Sequence, residues 1–137
     1  MSKRADILAH LKTTLEGVSG MEEVQVNRTI PVDVETAVFP CAFIYSGPEM
    51  RLTDGRSVIG YENWEWTVLI EVWGKEQDME ALLKLVHDAL FANEQISGHA
   101  VTSYRTGVDM LVLDSDRHME AMLIQYTILY RHTRGAM

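Results

Sequence analysis

The sequence is poor in the cysteines, long apolar runs and basic residues that disulfide-bonded, membrane-spanning and nucleic-acid-binding proteins need. It has one cysteine, Cys41, and a single thiol forms no internal disulfide. It has three prolines, no low-complexity segment and no apolar run of membrane-spanning length. Basic residues are few, since 12 Lys and Arg stand against 20 Asp and Glu for a net charge of −8. Because Lys and Arg supply most of the affinity for phosphates, this balance argues against tight nucleic-acid binding, but it permits a surface that DNA slides past.

The N-terminal segment Met1–Lys12 is charged and then helical in pattern, without the apolar core of a signal peptide. We therefore expect a protein made in a reducing cytoplasm and independent of membranes. Cys41 lies in the apolar run FPCAFIY, which favours a small buried side chain over a reactive nucleophile.

What is present indicates one domain with a substantial core. The chain has 137 residues, 47% of them hydrophobic, so it can fold without disulfides or a structural metal. Hydrophobic spacing predicts a two-layer α+β domain over residues 1–137, with a mixed or antiparallel sheet of four to five strands and two helices on one face. The predicted helices are Lys3–Glu16 and Met79–Phe91. The predicted strands are Glu23–Arg28, Phe39–Ser46, Tyr61–Trp73 and His118–Arg131. Before the last of these, the pattern permits a further strand at Ala100–Arg105, and it is ambiguous over Gly107–Asp116.

Between the second and third strands, Gly47–Gly60 predicts a protruding loop or hairpin with a turn at Asp54-Gly55. Its charged residues Arg51, Asp54 and Arg56 are expected to be exposed. They fit a solvated turn and equally an arm that pairs charges with a neighbouring subunit. Exposed pairs contribute only about 0–1 kcal/mol each, but they can fix the register of a contact.

The strand Tyr61–Trp73 is apolar on much of both faces. Trp64 and Trp66 share one side with aliphatic residues, whereas Leu69 and Trp73 make the other side partly apolar. Two helices cover one face of a sheet, so the remaining apolar surface predicts a contact between subunits, unless loops cover it. The pair Trp64 and Trp66 lacks neighbouring Lys or Arg, which favours core or interface packing over a platform for stacking bases.

No pattern in the sequence predicts catalysis, a metal site or a bound cofactor. The histidines are scattered without ligand spacing, and the acidic stretch around Asp114 and Asp116 lacks the fixed Gly and Glu of a calcium loop. There is no nucleophile elbow, phosphate-binding glycine loop or dinucleotide fingerprint. The five histidines are His10, His87, His99, His118 and His132.

The succession of these segments resembles the tail terminator proteins of long-tailed bacteriophages, the group that includes the minor tail protein U type. The matching segments are the helix RADILAHLKTTL, the strand VQVNR, the strand FPCAFIYSG with its charged loop, the strand WEWTVLIEVWGK, the helix DMEALLKLVHDAL and the closing YTILYR. They span nearly the whole chain and form a pattern rather than invariant motifs.

The resemblance implies a structural virion protein without catalytic or cofactor-binding residues. Such proteins form a hexameric ring on the head-proximal end of the tail tube, where they stop tube polymerisation and present a surface to the head connector. DNA passes through the ring without specific binding. The resemblance thus places the chain in a tail assembled in the host cytoplasm, with Arg51, Asp54, Arg56, Trp64 and Trp66 as candidate contacts to neighbouring subunits or to the tube.

Two other functions fit the same residues. A small ligand-binding or enzymatic α+β homo-oligomer would present a concave apolar pocket with a few convergent polar groups. A neck or head–tail joining protein of the same virus type would share the structural role but attach elsewhere.

Overall fold

The computed structural model describes residues 3–27, 39–51, 61–92, 96, 102–114 and 119–133. The chain forms a five-stranded sheet and, within the described ranges, two α-helices. These elements, in chain order, are α1 (Lys3–Glu16), β1 (Glu23–Val26), β2 (Cys41–Arg51), β3 (Tyr61–Lys75), a short 3-10 turn (Glu76–Asp78), α2 (Met79–Phe91), β4 (Thr102–Asp114) and β5 (Met119–Thr133).

The strands lie in the order β1-β2-β3-β5-β4. β1 runs parallel to β2, and the other neighbours are antiparallel, so the sheet is mixed. The central pair, β3 and β5, is in continuous register from Tyr61 opposite Thr133 to Lys75 opposite Met119. β1 and β4 are the two edge strands of the described sheet and lie at its opposite sides.

Both helices pack on one face of this sheet, as the sequence predicts. α2 turns Met79, Leu82, Val86 and Leu90 toward the sheet, because residues three and four apart share a helix face. α1 contributes Ile7, Leu11 and Leu15 to the same core. A fully buried aliphatic side chain contributes about 1.5–3 kcal/mol, so this one-sided core is the main source of stability. The α+β fold class is confirmed.

The sheet side of this core comes from alternate residues of each strand. In β3 these are Trp66, Val68, Ile70 and Val72, all at most 1% exposed. Their partners across the β5 ladder, such as Ile124 opposite Ile70, point the same way. The face opposite to the helices therefore carries the odd-numbered residues of β3 and β5, and we call it the distal face.

The strand bounds differ from the prediction by one or two residues in β1, β3 and β5, and by more in β2 and β4. β2 continues to Arg51, so the first five residues of the predicted Gly47–Gly60 loop belong to a strand. β4 is one strand of 13 residues, where the sequence predicts a short strand and an ambiguous stretch. Both strands contain register shifts, between Ser46 and Glu49 in β2 and at two places in β4. A bulge breaks the two-residue alternation by which a strand is recognised. The predicted turn at Asp54-Gly55 lies outside the described residues.

Candidate interaction surfaces

The two candidate tryptophans lie on the helix-facing side of β3, not on the distal face. Trp66 is 1% exposed and contacts Tyr130 edge-on, with ring centroids 6.2 Å apart and planes at 70°. Trp64 is half-buried and packs against the same core. The expected contact of Trp66 with a neighbouring subunit therefore has no surface to act through, and of this pair only Trp64 offers partial exposure.

Next to Trp66 the structure brings together three polar groups that no local sequence pattern connects. Glu49 lies opposite Trp66 in the β2–β3 ladder, and its Oε2 is 3.5 Å from Nη1 of Arg4 on α1. That oxygen is buried without a hydrogen-bond partner among the described atoms. Burial, and then the hydrogen bond with Glu49, raise the pKa of Tyr130 well above its usual range. The cluster ties the start of α1 to β2 and β5, and local sequence carries no signal for so long-range a contact.

Of the candidate charged loop Gly47–Gly60, only the part up to Arg51 belongs to the described residues. Arg51 ends β2, where its backbone pairs with Trp64. Nothing is described of the Arg51 side chain or of Asp54 and Arg56, so their predicted role in a subunit or tube contact stays a prediction.

The distal face has a buried end. Cys41, Phe43, Trp73 and Ala121 form a second apolar cluster there, each at most 5% exposed, and Phe39 stacks on Trp73 with ring centroids 6.2 Å apart. Cys41 is thus a buried thiol, as its apolar neighbours in the sequence predict. The third tryptophan, Trp73, is the one that lies on this face.

The rest of the distal face is half-exposed and mixed in polarity. Leu69, Leu123 and Leu129 are partly buried on it, and Tyr104 on β4 is 45% exposed. Its charge is net negative among the described side chains. The carboxylates are Glu23, Glu65, Glu71 and Asp109, and the cations are Arg131 and Lys75.

Two depressions indent the described surface. The first, about 380 Å³, lies beside the N-terminal half of α2, and its only ionisable lining groups are Lys75 and Asp78. The walls are otherwise largely apolar, and Leu85 in them is 43% exposed.

The second depression, about 700 Å³, separates α2 from the edge strand β4, and we call it the α2/β4 groove. Its floor is apolar, with Leu83, Val108 and Met122. Its rim carries Glu80, Lys84, His87 and Arg105.

The charges around this groove are unequally compensated. Lys84 donates a 2.8 Å hydrogen bond to Asp88, and this bond holds the pKa of the Asp88 carboxyl below its usual value. Arg105, by contrast, has no carboxylate within salt-bridge distance among the described residues. Among the described residues, the groove therefore offers one guanidinium without a salt bridge, that of Arg105, beside an apolar floor.

The described part of the chain contains no group of three or more His, Cys, Asp or Glu side chains placed to hold a metal ion. In the same ranges, the helices are too short and too polar to span a membrane. What the geometry offers is contact surface: one partly exposed sheet face and two edges.

Comparison with known proteins adds a distant structural likeness. No protein-family model matches the sequence, and no curated protein matches it. Among solved structures, a chain of the virion of a native gene transfer agent particle is similar over 94% of each chain, with a TM-score of 0.40 and 12% sequence identity. A likeness at this level assigns neither family nor function, so the proposal below rests on the chain's own pattern and geometry.

Proposed function

We propose that this protein is a structural tail terminator, which assembles as a ring on the end of a phage-type tail tube and stops its growth. The observation that carries the proposal is the order of elements, α-β-β-β-α-β-β over one mixed sheet. This order runs through the segments by which the sequence resembles tail terminators. The proposed ring has about six subunits, contacts the tube on one side and the head connector on the other, and acts without catalysis.

The distal face supports a further part of this proposal, the passage of DNA. This face carries four carboxylates against two cations among the described side chains. A surface of that sign repels phosphates and holds no DNA as it passes. We therefore propose that the distal face lines the lumen and that the helices lie on the outside of the ring.

The test is to add the purified protein to tail-tube subunits of the same particle during polymerisation, and to measure tube lengths by negative-stain electron microscopy. The proposal predicts shorter tubes with an extra ring at one end. An unrelated acidic protein of the same size and net charge is the control. Tubes that grow to the same length and carry no ring would refute the capping role. Rings that bind the head connector but leave tube length unchanged would instead favour a neck or head–tail joining protein.

One observation favours a second candidate function, a small-ligand-binding homo-oligomer. The depression beside α2 has about 380 Å³, which is within the range of small-molecule pockets, and its walls are largely apolar. Native mass spectrometry of protein purified without added ligand tests this function. A stoichiometric small molecule that is lost when Ala81→Trp, at an exposed lining residue, fills the pocket would support it.

A further inference from the structure

We propose that the edge strand β1 of one copy receives residues 134–137 of the next copy, the RGAM segment, as a hydrogen-bonded sheet strand. This inference rests on the proposed ring, because it assigns part of the lateral contact between neighbouring subunits. It joins two different surfaces of each subunit, which is what a closed ring of identical subunits requires. The outer edge of β1 has unpaired backbone groups, and the RGAM segment fits it in length, position and charge.

The unpaired backbone groups of β1 belong to its two valines. The N–H of Asn27 donates to the Ile44 carbonyl at 2.7 Å, so the odd-numbered residues of β1 direct their backbone groups toward β2. Val24 and Val26 therefore direct their N–H and C=O groups outward, where neither has a hydrogen bond among the described residues. Addition of a strand to such an edge is a common mode of protein recognition.

β1 also lacks the features by which edge strands avoid further pairing. Its four residues, Glu23–Val26, include no Pro, Gly or Lys, and they pair with β2 without a register shift. The other edge strand, β4, shifts register twice, between Arg105 and Gly107 and between Met110 and Val112. Bulges interrupt an edge, so of the two edges of the described sheet β1 is the one suited to a further strand.

The two proposed partners carry opposite charge. Residues 16–27, which include β1 and the turn before it, contain three Glu and no Lys, Arg or His. The carboxylates of Glu22 and Glu23 have no ion pair within the described structure. Residues 121–137, by contrast, contain three basic residues and no Asp or Glu. Opposite charge on two surfaces favours their association and fixes their relative orientation.

A parallel orientation brings these charges together. Arg134 is the first residue of the RGAM segment, and Glu22 and Glu23 lie at the start of β1. An antiparallel segment would instead bring Arg134 to the end of β1 that precedes Arg28, another cation. We therefore expect the RGAM segment to run in the same direction as β1.

The RGAM segment lies too far from β1 of its own copy to pair with it. β5 pairs Thr133 with Tyr61, whereas β1 lies across β2 from the stretch of β3 between Ile70 and Trp73. Tyr61 and Ile70 are nine residues apart, which is about 30 Å at about 3.3 Å per residue. Four extended residues span at most about 14 Å. The donor segment and the receiving strand therefore belong to opposite ends of the sheet and meet only between copies.

The receiving edge is tested by Val26→Pro. Proline removes the outward N–H of Val26, and it is tolerated on an edge strand where that N–H faces away from the sheet. Val26→Ala is the matched control, because it loses the same partly buried side chain and keeps the N–H. We expect Val26→Pro to self-associate at least tenfold more weakly than Val26→Ala, which corresponds to about 1.4 kcal/mol, close to one lost hydrogen bond. Sedimentation velocity measures the association, and circular dichroism verifies the fold.

The donor is tested by a chain that ends at Thr133, and its mixture with Val26→Pro is the sharpest experiment. The shortened chain keeps the receiving edge without the RGAM segment, whereas Val26→Pro keeps the segment without the receiving edge. Each variant alone is expected to self-associate at least about tenfold more weakly than the native chain. An equimolar mixture retains one competent contact per pair, so native mass spectrometry should show 1:1 pairs and no larger rings.

A peptide of residues 131–137 tests the contact on the native chain, independently of how the variants fold. In excess it should compete with assembly and slow hydrogen exchange at the outward amides of Val24 and Val26, which have no hydrogen bond among the described residues. The reversed sequence has the same composition and charge, so it is the control peptide and should have neither effect.

A Val26→Pro variant that associates as tightly as Val26→Ala would overturn the proposed contact, and so would a shortened chain that assembles as the native chain does. If only Val26→Pro is weakened, β1 pairs with a different surface of the second copy and the RGAM segment is not its occupant. A native chain that shows no self-association would overturn the proposal as well. The capping role is judged separately by the tube-length assay with the native chain, so failure of one proposal is distinguishable from failure of the other.

Discussion

Substitution of Gly47 by alanine tests how closely β2 and β3 approach at the β2 bulge. Gly47 lies in the register shift between Ser46 and Glu49, directly beside the backbone of Thr67. A Cβ built on Gly47 falls 2.4 Å from the Thr67 carbonyl oxygen and 3.3 Å from its carbonyl carbon. Real Cβ atoms essentially never come within 3.0 Å of another heavy atom, so the oxygen would have to recede by at least 0.6 Å.

The backbone around Thr67 yields poorly, because β3 is held between two neighbours. Thr67 pairs with Thr127 on β5, and β3 pairs with β2 on both sides of the bulge. Forcing extra atoms into such a place costs about 1–3 kcal/mol, and a backbone obstacle puts Gly47→Ala in the upper half of that range. At about 4 °C per kcal/mol for a chain of this length, we expect the melting temperature to fall by about 8–12 °C.

Gly107→Ala is the matched control, because Gly107 also lies at a bulge but in open surroundings. Its nearest neighbour would be the flexible end of Gln125, at an ordinary 3.5 Å. Alanine there removes only backbone freedom from the unfolded chain, which stabilises a protein by about 0.4–1 kcal/mol where the conformation fits. Urea unfolding followed by circular dichroism measures both variants. If Gly47→Ala and Gly107→Ala differ by less than about 1 kcal/mol, the close approach of β2 and β3 is not as described.

Further substitutions test the core. Trp66→Ala is expected to lower the free energy of unfolding of the isolated subunit by about 3–5 kcal/mol, and Trp64→Ala by clearly less; equal losses would contradict the different burial of the two rings. Tyr130 has a raised pKa in the fold. Its hydroxyl therefore contributes fully to the free energy of unfolding below the ordinary pKa of 10.0, and this contribution is lost as pH rises above that value. Tyr130→Phe should therefore flatten the loss of stability in alkaline urea titrations, and an unchanged alkaline slope would contradict this. Ser103→Ala removes the 2.7 Å bond between Ser103 Oγ and the Tyr126 hydroxyl and should cost about 1 kcal/mol, with less than additive loss when combined with Tyr126→Phe.

Much of the fold follows from periodicity in the sequence. Both helices begin and end where hydrophobic spacing predicts, and β3 shows its alternation openly from Trp66 to Val72. The parts of the fold that the sequence does not predict are the two strands that contain bulges. β4 reads as two weak segments because its register shifts twice, and β2 continues through a Gly-Pro pair that locally indicates a loop. The local signal is lost there because tertiary pairing, not propensity, keeps those residues extended.

The surfaces were less predictable than the fold. Periodicity places Trp64 and Trp66 on one side of β3, but it does not say which side the helices cover. The decisive information is long-range: the helix cores and the even-numbered residues of β3 and β5 meet only in three dimensions. The same holds for Arg4 and Glu49, which are 45 positions apart, and for the groove that combines α2 with β4.

The position of Trp66 also constrains how the proposed ring could be built. The helix-facing side of the sheet is occupied by the chain's own helices, with Trp66 inside that core. One end of the distal face is likewise buried around Phe43 and Trp73. A lateral contact through the helix-facing side, or through this buried end, would have to displace packed side chains, whereas the edges β1 and β4 require no such rearrangement. Assembly through the edges also leaves the net-negative remainder of the distal face free to line a channel. Trp66→Ala should therefore change the stability of the subunit, with little direct effect on its assembly.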